Sequence, residues 1–128
     1  MTTQNTNAVP TFEETLEWLQ TTEYSGSIGV TALFRVKDQY YDRFIALLKD
    51  YIPYVVKEEG CLDFSFNRDW RNKNDIWLVE KWSSPKSLIF HLGPDARKGT
   101  KYEGNIPLIK FAQMEIKPEP AAIYKLGL

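Results

Sequence analysis

The chain has 128 residues, a length typical of one domain, and its net charge is −1. This charge gives no basic surface of the kind that binds nucleic acid. One cysteine and one histidine cannot form an internal disulfide or a structural zinc site, which takes about four ligands. The polar start lacks the regions of a signal peptide, and no apolar run reaches the ~20 residues of a membrane span. We therefore expect a cytoplasmic globular protein that binds neither nucleic acid nor membranes.

The first 27 residues are predicted to be a tail followed by a short helix. Residues 1–9 are polar and without periodicity, which predicts a disordered tail. Thr11 and Glu14 have the spacing of a capping box, in which each side chain binds a free amide of the first turn. Three apolar residues then follow at helical spacing: Phe12, Leu16 and Leu19. A helix from Thr11 to about Thr22 is predicted, packed on the main domain or on a partner.

Residues 28–128 are predicted to form the main domain, which begins with a strand and a long helix. Apolar residues alternate along Ile28–Val36, the pattern of a strand. A broad apolar stripe predicts a helix from about Gln39 to Glu58. Pro53 lies within this stripe and predicts a kink or break near residues 49–53, because proline cannot donate the helical hydrogen bond.

A hairpin and a capped helix are predicted next. Cys61–Asp69 and Asp75–Trp82 alternate around a polar turn, with Leu62, Phe64 and Phe66 sharing one face of the first strand. Ser84 is a favourable N-cap, and Pro85 suits the first helical position, where no amide hydrogen bond is lost. This helix is expected to end near Gly93.

The remaining sequence predicts a less regular helix and two strands. Asp95–Leu108 is interpreted as helical, Phe111–Lys117 as the last core strand, and Ala121–Leu126 as a further edge strand. The resulting order, β-α-β-β-α-β, predicts an α+β fold of the ferredoxin-like type, with two helices on one face of an antiparallel sheet.

Apolar residues also occur on the face of the sheet that the helices would leave open. These residues are Leu33, Trp77, Val79 and Met114. An open sheet face normally carries polar residues. A second subunit covering this face explains the pattern, and we therefore predict a homodimer.

The segment from Glu80 to His91 contains the side chains best suited to chemistry. Glu80 and Trp82 are two residues apart on a strand and share a face. His91 lies about two turns into the next helix, which can fold back over the sheet. A carboxylate beside an imidazole raises its pKa and fixes its tautomer, so that His91 could act as a general base.

This pattern, Val-Glu-x-Trp followed after eight residues by His91, resembles the antibiotic biosynthesis monooxygenase (ABM) superfamily, above all its quinol-monooxygenase-like members. The Glu-Gly-Cys-Leu segment at residues 59–62 adds to the likeness. The resemblance implies a dimeric α+β barrel with an apolar pocket between sheet and helices. It also implies oxidation of a small quinol or polycyclic aromatic substrate by dioxygen without a cofactor.

Under this resemblance, His91 and Glu80 are the catalytic residues. The predicted substrate-binding residues are Trp82, Phe64, Phe66, Phe34 and Tyr51. The haem-degrading branch of the superfamily is disfavoured, because the first strand has no Asn and Lys101 stands near the position of the axial ligand. No metal site is expected.

Other interpretations of the same residues remain open. His91 and Glu80 could be structural residues that satisfy each other, since a buried carboxylate needs partners whatever its role. The scaffold could serve an isomerase, a cyclase, a ligand-binding module or an interaction protein, because fold alone does not determine function. Cys61 is interpreted as a buried thiol.

Overall fold

The alternating segments of the sequence form one antiparallel sheet, with helices on one of its faces. The computed structural model describes residues 10–105 and 119–128. The elements are α1 (Phe12–Thr21), β1 (Ile28–Arg35), α2 (Asp38–Val55), β2 (Cys61–Arg68), β3 (Asp75–Trp82), α3 (Pro85–His91) and β4 (Ala122–Lys125). The strand order β2-β3-β1-β4 confirms the predicted α+β fold of the ferredoxin-like type, with an additional N-terminal helix.

The pairing of β1 with β3 is continuous, whereas β2 begins with a bulge. Ile28 lies opposite Trp82, and the register holds to the far end of both strands. In β2 the register shifts between Cys61 and Asp63, so that Leu62 is an extra residue without a partner. The prediction that Leu62 belongs to the apolar face is wrong for this reason, and its side chain is 59% exposed.

The helices begin where their capping residues predict. The capping box of Thr11 and Glu14 is present at the start of α1, and the Ser84 side chain accepts a hydrogen bond from an amide of α3. α2 runs through Pro53 as far as Val55, so the predicted break near residues 49–53 does not occur. α2 continues for only two residues beyond Pro53, so that proline costs the helix the one bond that its missing amide would have donated, and the amide of Val56 still donates to the Ile52 carbonyl.

The C-terminal part differs from the sequence prediction. Residues 95–105 form turns rather than the predicted helix, while residues 106–108 and the predicted strand Phe111–Lys117 lie outside the described residues, as do residues 1–9. The strand beside β1 is β4, which the sequence predicted only as a further edge strand. A side chain at Gly29 would collide with the Tyr124 ring, so glycine permits this pairing.

The two faces of the sheet differ in their covering. The face beneath α2 and α3 carries the core, including Ile28, Phe44 and Trp82, each without exposed surface. On the opposite face Leu33 is buried, and Trp77 is partly exposed. The homodimer that would cover this face remains a prediction.

Candidate active site

Glu80 is a buried carboxylate on the helix-covered face of β3. Its side chain shares this face with Trp82, whose indole Nε1 donates a hydrogen bond of 3.0 Å to Oε1 of Glu80. Only 7% of the residue is exposed. Burial raises the pKa of Glu80, and the nearby His91 and the bond from Trp82 oppose that rise. A carboxyl group in these surroundings holds its proton more readily than one in water.

His91 is the last residue of α3 and lies behind Glu80. Its Nδ1 is 2.8 Å from Oε2 of Glu58, and its Nε2 is 3.8 Å from Oε1 of Glu80. Nδ1 can donate to Glu58 in one tautomer and can accept from Nη1 of Arg97, at 3.1 Å, in the other, and in both cases Nε2 faces Glu80. The imidazole packs on the ring of Trp82 at 4.7 Å and on that of Phe64 at 5.7 Å, between ring centres.

Arg97 completes a buried chain of charged groups that the sequence did not predict. Its Nη1 donates to Oε2 of Glu58 at 3.0 Å, the oxygen that also meets His91. Its other nitrogens donate to the backbone carbonyls of Tyr102, at 2.9 Å, and Gly104, at 2.7 Å. Arg97 also has a φ of 53°, a left-handed conformation that is costly for any residue with a side chain. The contacts that its guanidinium makes offset that cost.

A cavity of about 500 Å³ opens in front of Glu80. Its lining residues come from α1, α3, the sheet and the segment before β4: Pro10, Thr11, Phe12, Thr15, Leu16, Leu19, Val30, Glu80, Leu88, Leu92, Pro120, Ala121 and Ile123. Among these residues Glu80 alone has an ionisable side chain. His91 does not line the cavity, but its Nε2 lies 3.8 Å from Oε1 of Glu80, which does.

The five predicted substrate-binding residues fall into two groups, and none of them lines this cavity. Trp82 and Phe64 contact His91, and the Tyr51 ring lies 5.8 Å from that of Phe64. Burial raises the pKa of Tyr51 to about 12, so its hydroxyl stays protonated at neutral pH. Phe34 and Phe66 instead pack around the Phe44 ring, at 5.7 and 6.3 Å.

Two other kinds of feature are absent from the described part of the chain. No cluster of three His, Cys, Asp or Glu side chains is arranged to hold a metal ion in residues 10–105 and 119–128. No helix in those ranges is long and apolar enough to cross a membrane.

Sequence reasoning identified Glu80, Trp82 and His91 but missed Glu58 and Arg97. Glu58 was predicted to be the last residue of a helix, and nothing in the sequence distinguishes it from its neighbour Glu59. Arg97 lies in an irregular segment, where no periodicity indicates which way a side chain points. The part that α1 plays in lining the cavity was missed as well, because it depends on how the helix docks.

Known proteins resemble this chain in sequence and in fold. An uncharacterized protein of the cyanobacterium Synechocystis is 31% identical over 64 residues, which are 50% of this chain and 44% of that protein. The chain therefore matches less than half of that relative. A conserved protein from Methanosarcina mazei has a similar structure, with a TM-score of 0.61, 27% identity and coverage of 79% of this chain and 93% of that one.

A proposed antibiotic biosynthesis monooxygenase from Caulobacter crescentus shares the fold, with a TM-score of 0.63, 22% identity and coverage of 82% of this chain and 93% of that one. The sequence model of the antibiotic biosynthesis monooxygenases matches residues 27–101, which are more than half of the chain. β1, α2, β2, β3 and α3 lie within the match, whereas α1 lies outside it. The chain belongs to the antibiotic biosynthesis monooxygenase family.

Proposed function

We propose that this protein is a cofactor-independent monooxygenase that oxidises a small quinol or a polycyclic aromatic hydroxyl compound with dioxygen. The observation that carries the proposal is the buried carboxylate of Glu80 at one wall of an otherwise uncharged cavity of about 500 Å³. This volume suits a small organic molecule. An apolar cavity with one ionisable group favours a ligand that is apolar apart from the group that meets Glu80.

In the proposed reaction Glu80 takes the phenolic proton of the substrate. Phenolic hydroxyls have a pKa near 10, far above that of an ordinary carboxylate. Burial raises the pKa of Glu80 and so makes it a stronger base. Trp82 holds Oε1, and no hydrogen bond to Oε2 is found among the described residues, so Oε2 can accept the substrate hydroxyl.

His91 then serves as the group that supports Glu80 rather than the one that meets the substrate. The sequence alone predicted the reverse order, with His91 as the base and Glu80 as its orienting partner. Because His91 contacts Glu80 without lining the cavity, we propose that its imidazole favours the ionised form of Glu80, which is the form that can accept the proton, against the effect of burial. Glu58 fixes the orientation of the imidazole, and Arg97 fixes Glu58.

The substrate supplies all the electrons of the proposed reaction. Loss of the phenolic proton makes a ring carbon electron-rich, and this carbon forms a bond with one atom of dioxygen. Cleavage of the O–O bond leaves one oxygen on that carbon as a carbonyl group, and the other departs as water, which takes up the phenolic proton and the hydrogen of the same carbon. A C–H bond of the same carbon is lost, and the four electrons that reduce dioxygen come from the substrate. The apolar lining keeps bulk water from the deprotonated substrate.

Oxygen uptake with menadiol and with 9-anthrone tests this proposal. After subtraction of spontaneous oxidation, we expect uptake by the protein and a loss of kcat/KM of about 10²–10⁴-fold in Glu80→Gln, the usual contribution of a general base. Glutamine keeps an oxygen for the Trp82 indole but cannot take a proton. His91→Gln is expected to lower the rate less, because His91 does not line the cavity.

Glu17→Gln is the matched control, since Glu17 is an exposed carboxylate on the side of α1 away from the cavity. It should oxidise both compounds at the unaltered rate. The proposal is contradicted if the protein accelerates oxygen uptake with neither compound, or if folded Glu80→Gln keeps the full rate.

A further inference from the structure

The helix that lies outside the family match forms a large part of the wall of the Glu80 cavity. Six residues of the lining, Pro10, Thr11, Phe12, Thr15, Leu16 and Leu19, belong to α1 or immediately precede it. The family match begins only at residue 27. The shape of this cavity therefore depends on a segment that the family domain does not supply.

α1 is held against the domain by several contacts. Leu19 is buried in the main core together with Ile28 and Leu88. The Trp18 ring stacks on that of Tyr24 at 6.4 Å, and the Tyr24 hydroxyl donates to the Ser27 carbonyl at 2.7 Å just before β1. The capping box stabilises the first turn of the helix itself. α1 therefore has a fixed position in the wall of the cavity and is not a loosely attached extension.

We propose that α1 is the specificity-determining wall of the site, and that it selects an uncharged aromatic ligand of more than one ring, whose hydroxyl meets Glu80 and whose apolar body lies against Phe12 and Leu16. The proposal rests on the proposed function for the choice of a hydroxyl at Glu80. It does not depend on whether oxygen chemistry follows binding.

The residues that line the cavity favour an uncharged ligand, because none of them is a cation. No lysine or arginine is among the lining residues, and Glu80 is 7% exposed. A carboxylate or phosphate on the ligand would lose its hydration without meeting a cation, and it would add a second negative charge near Glu80. A neutral hydroxyl can instead donate its hydrogen to the carboxylate.

The exposure of Phe12 favours a ligand with an extended apolar part. Phe12 lines the cavity but is 59% exposed, so it offers apolar surface that a ligand bound in the cavity can cover. Covering such surface favours binding in proportion to the area removed from water. A one-ring compound that meets Glu80 would leave this surface in water, and a polycyclic one would cover more of it.

Anaerobic isothermal titration calorimetry with 9-phenanthrol, 1-naphthol and 1-naphthoate tests the proposal, because binding without oxygen is separated from turnover. We expect 9-phenanthrol to bind most tightly and 1-naphthoate at least tenfold more weakly than 1-naphthol. Phe12→Ala and Leu16→Ala should each weaken 9-phenanthrol binding at least fivefold. Neither residue is fully buried, so both variants should fold, which circular dichroism can verify.

Phe90→Ala is the matched control, because Phe90 is of the same residue type and is 54% exposed but does not line the cavity. It should bind 9-phenanthrol with unchanged affinity. The proposal is overturned if no probe binds, if both helix variants keep the native affinity, or if 1-naphthoate binds as tightly as 1-naphthol. The expected binding pattern in a protein that takes up no oxygen would support the α1 wall while refuting the oxygenase.

Discussion

Two halves of the same sheet face bury different kinds of side chain. Beneath the first part of α2, Phe44, Val36, Leu48 and Ile76 form a cluster that also contacts Phe34 and Phe66. Around α3, the same face instead buries Glu80, His91 and, beyond them, Glu58 and Arg97. β3 contributes Ile76 to one half and Glu80 to the other.

The contrast separates a half that is packed with apolar side chains alone from a half in which the main core also holds buried charges. Packing aromatic and aliphatic side chains leaves no polar group to satisfy. Buried charges, in contrast, lose hydration that their mutual attraction only partly returns. Oε1 of Glu58 is buried without a hydrogen-bond partner among the described residues, which adds to the cost. A costly cluster beside a cavity is expected at a functional site. The packed half also has a cavity of about 500 Å³, lined in part by Leu48, Phe66 and Ile76, but no buried ion pair lies beside it among the described residues.

Arg97→Met is expected to have the largest effect on the stability of the charged half. The variant removes the guanidinium next to Glu58 and leaves this buried carboxylate with His91 as its remaining partner. We expect a loss of about 3–5 kcal/mol in the free energy of unfolding, the usual effect of breaking a buried ion pair. Methionine keeps an unbranched side chain at the left-handed backbone position, so backbone strain changes little. Urea denaturation measures the effect, and Arg97→Lys should lose less. A loss below about 1 kcal/mol would mean that the pair contributes little.

Phe44→Ala is the counterpart of this variant in the packed half. It should lower the free energy of unfolding by a similar amount, ~3–5 kcal/mol, through the cavity that it leaves. The rate of menadiol oxidation per folded molecule is expected to differ between the two variants. Phe44→Ala should keep its rate, whereas Arg97→Met should lose part of it, because Arg97 positions His91 through Glu58. Equal rates would contradict the functional division of the sheet face.

The strands and the helix starts are the parts that the sequence predicts best. Alternation along Ile28–Val36 and Asp75–Trp82 depends only on which side chains avoid water, and the structure has both strands. The capping signals at Thr11 and Ser84 are equally local. The bulge at Leu62 was missed, because a pattern of alternation does not show where a register shifts.

The charged half was predicted only in part, for a physical reason. Glu80 and His91 are close in sequence, and a strand–helix turn brings them together. Glu58 and Arg97 come from separate loops and meet His91 only after the chain has folded. A contact of this kind leaves no periodic signal. Trp82, Phe64 and Tyr51 were predicted as pocket walls from their residue type, although the described cavity lies on the other side of Glu80.

Glu80→Gln tests the cost of the buried charge in this half through the pH dependence of stability. Since the pKa of Glu80 is raised in the folded protein, the folded state binds its proton more tightly than the unfolded state does. Below the ordinary value of 4.5 both states are protonated, and the carboxyl group costs nothing. As the pH rises through the raised pKa, the native protein loses stability. Glu80→Gln lacks this loss and should be more stable than the native protein by about 1 kcal/mol at pH 8, within the usual range of single stabilising substitutions.

The same variant should show no such gain at pH 4, where Glu80 is protonated in both states. Thermal unfolding at the two pH values measures the difference, with Glu17→Gln as the exposed control. A gain in stability of equal size at both pH values would show that the gain comes from packing rather than from charge. A loss of stability at pH 8 would contradict the burial cost of Glu80.

The smallest expected effect concerns Cys61, which lies at the edge of the charged half. Burial raises the pKa of its thiol to about 11, with further contributions from Glu58 and Glu80. Only the thiolate reacts with iodoacetamide, so Cys61 should react roughly two orders of magnitude more slowly at pH 8 than free cysteine. Glu80→Gln should raise this rate several-fold, because it removes one of the negative charges, whereas Phe44→Ala should leave it unchanged in the folded protein. Mass spectrometry of the alkylated protein follows the reaction. Cys61 is half-buried, and a rate equal to that of free cysteine would show that neither burial nor the nearby carboxylates raise the pKa of the thiol.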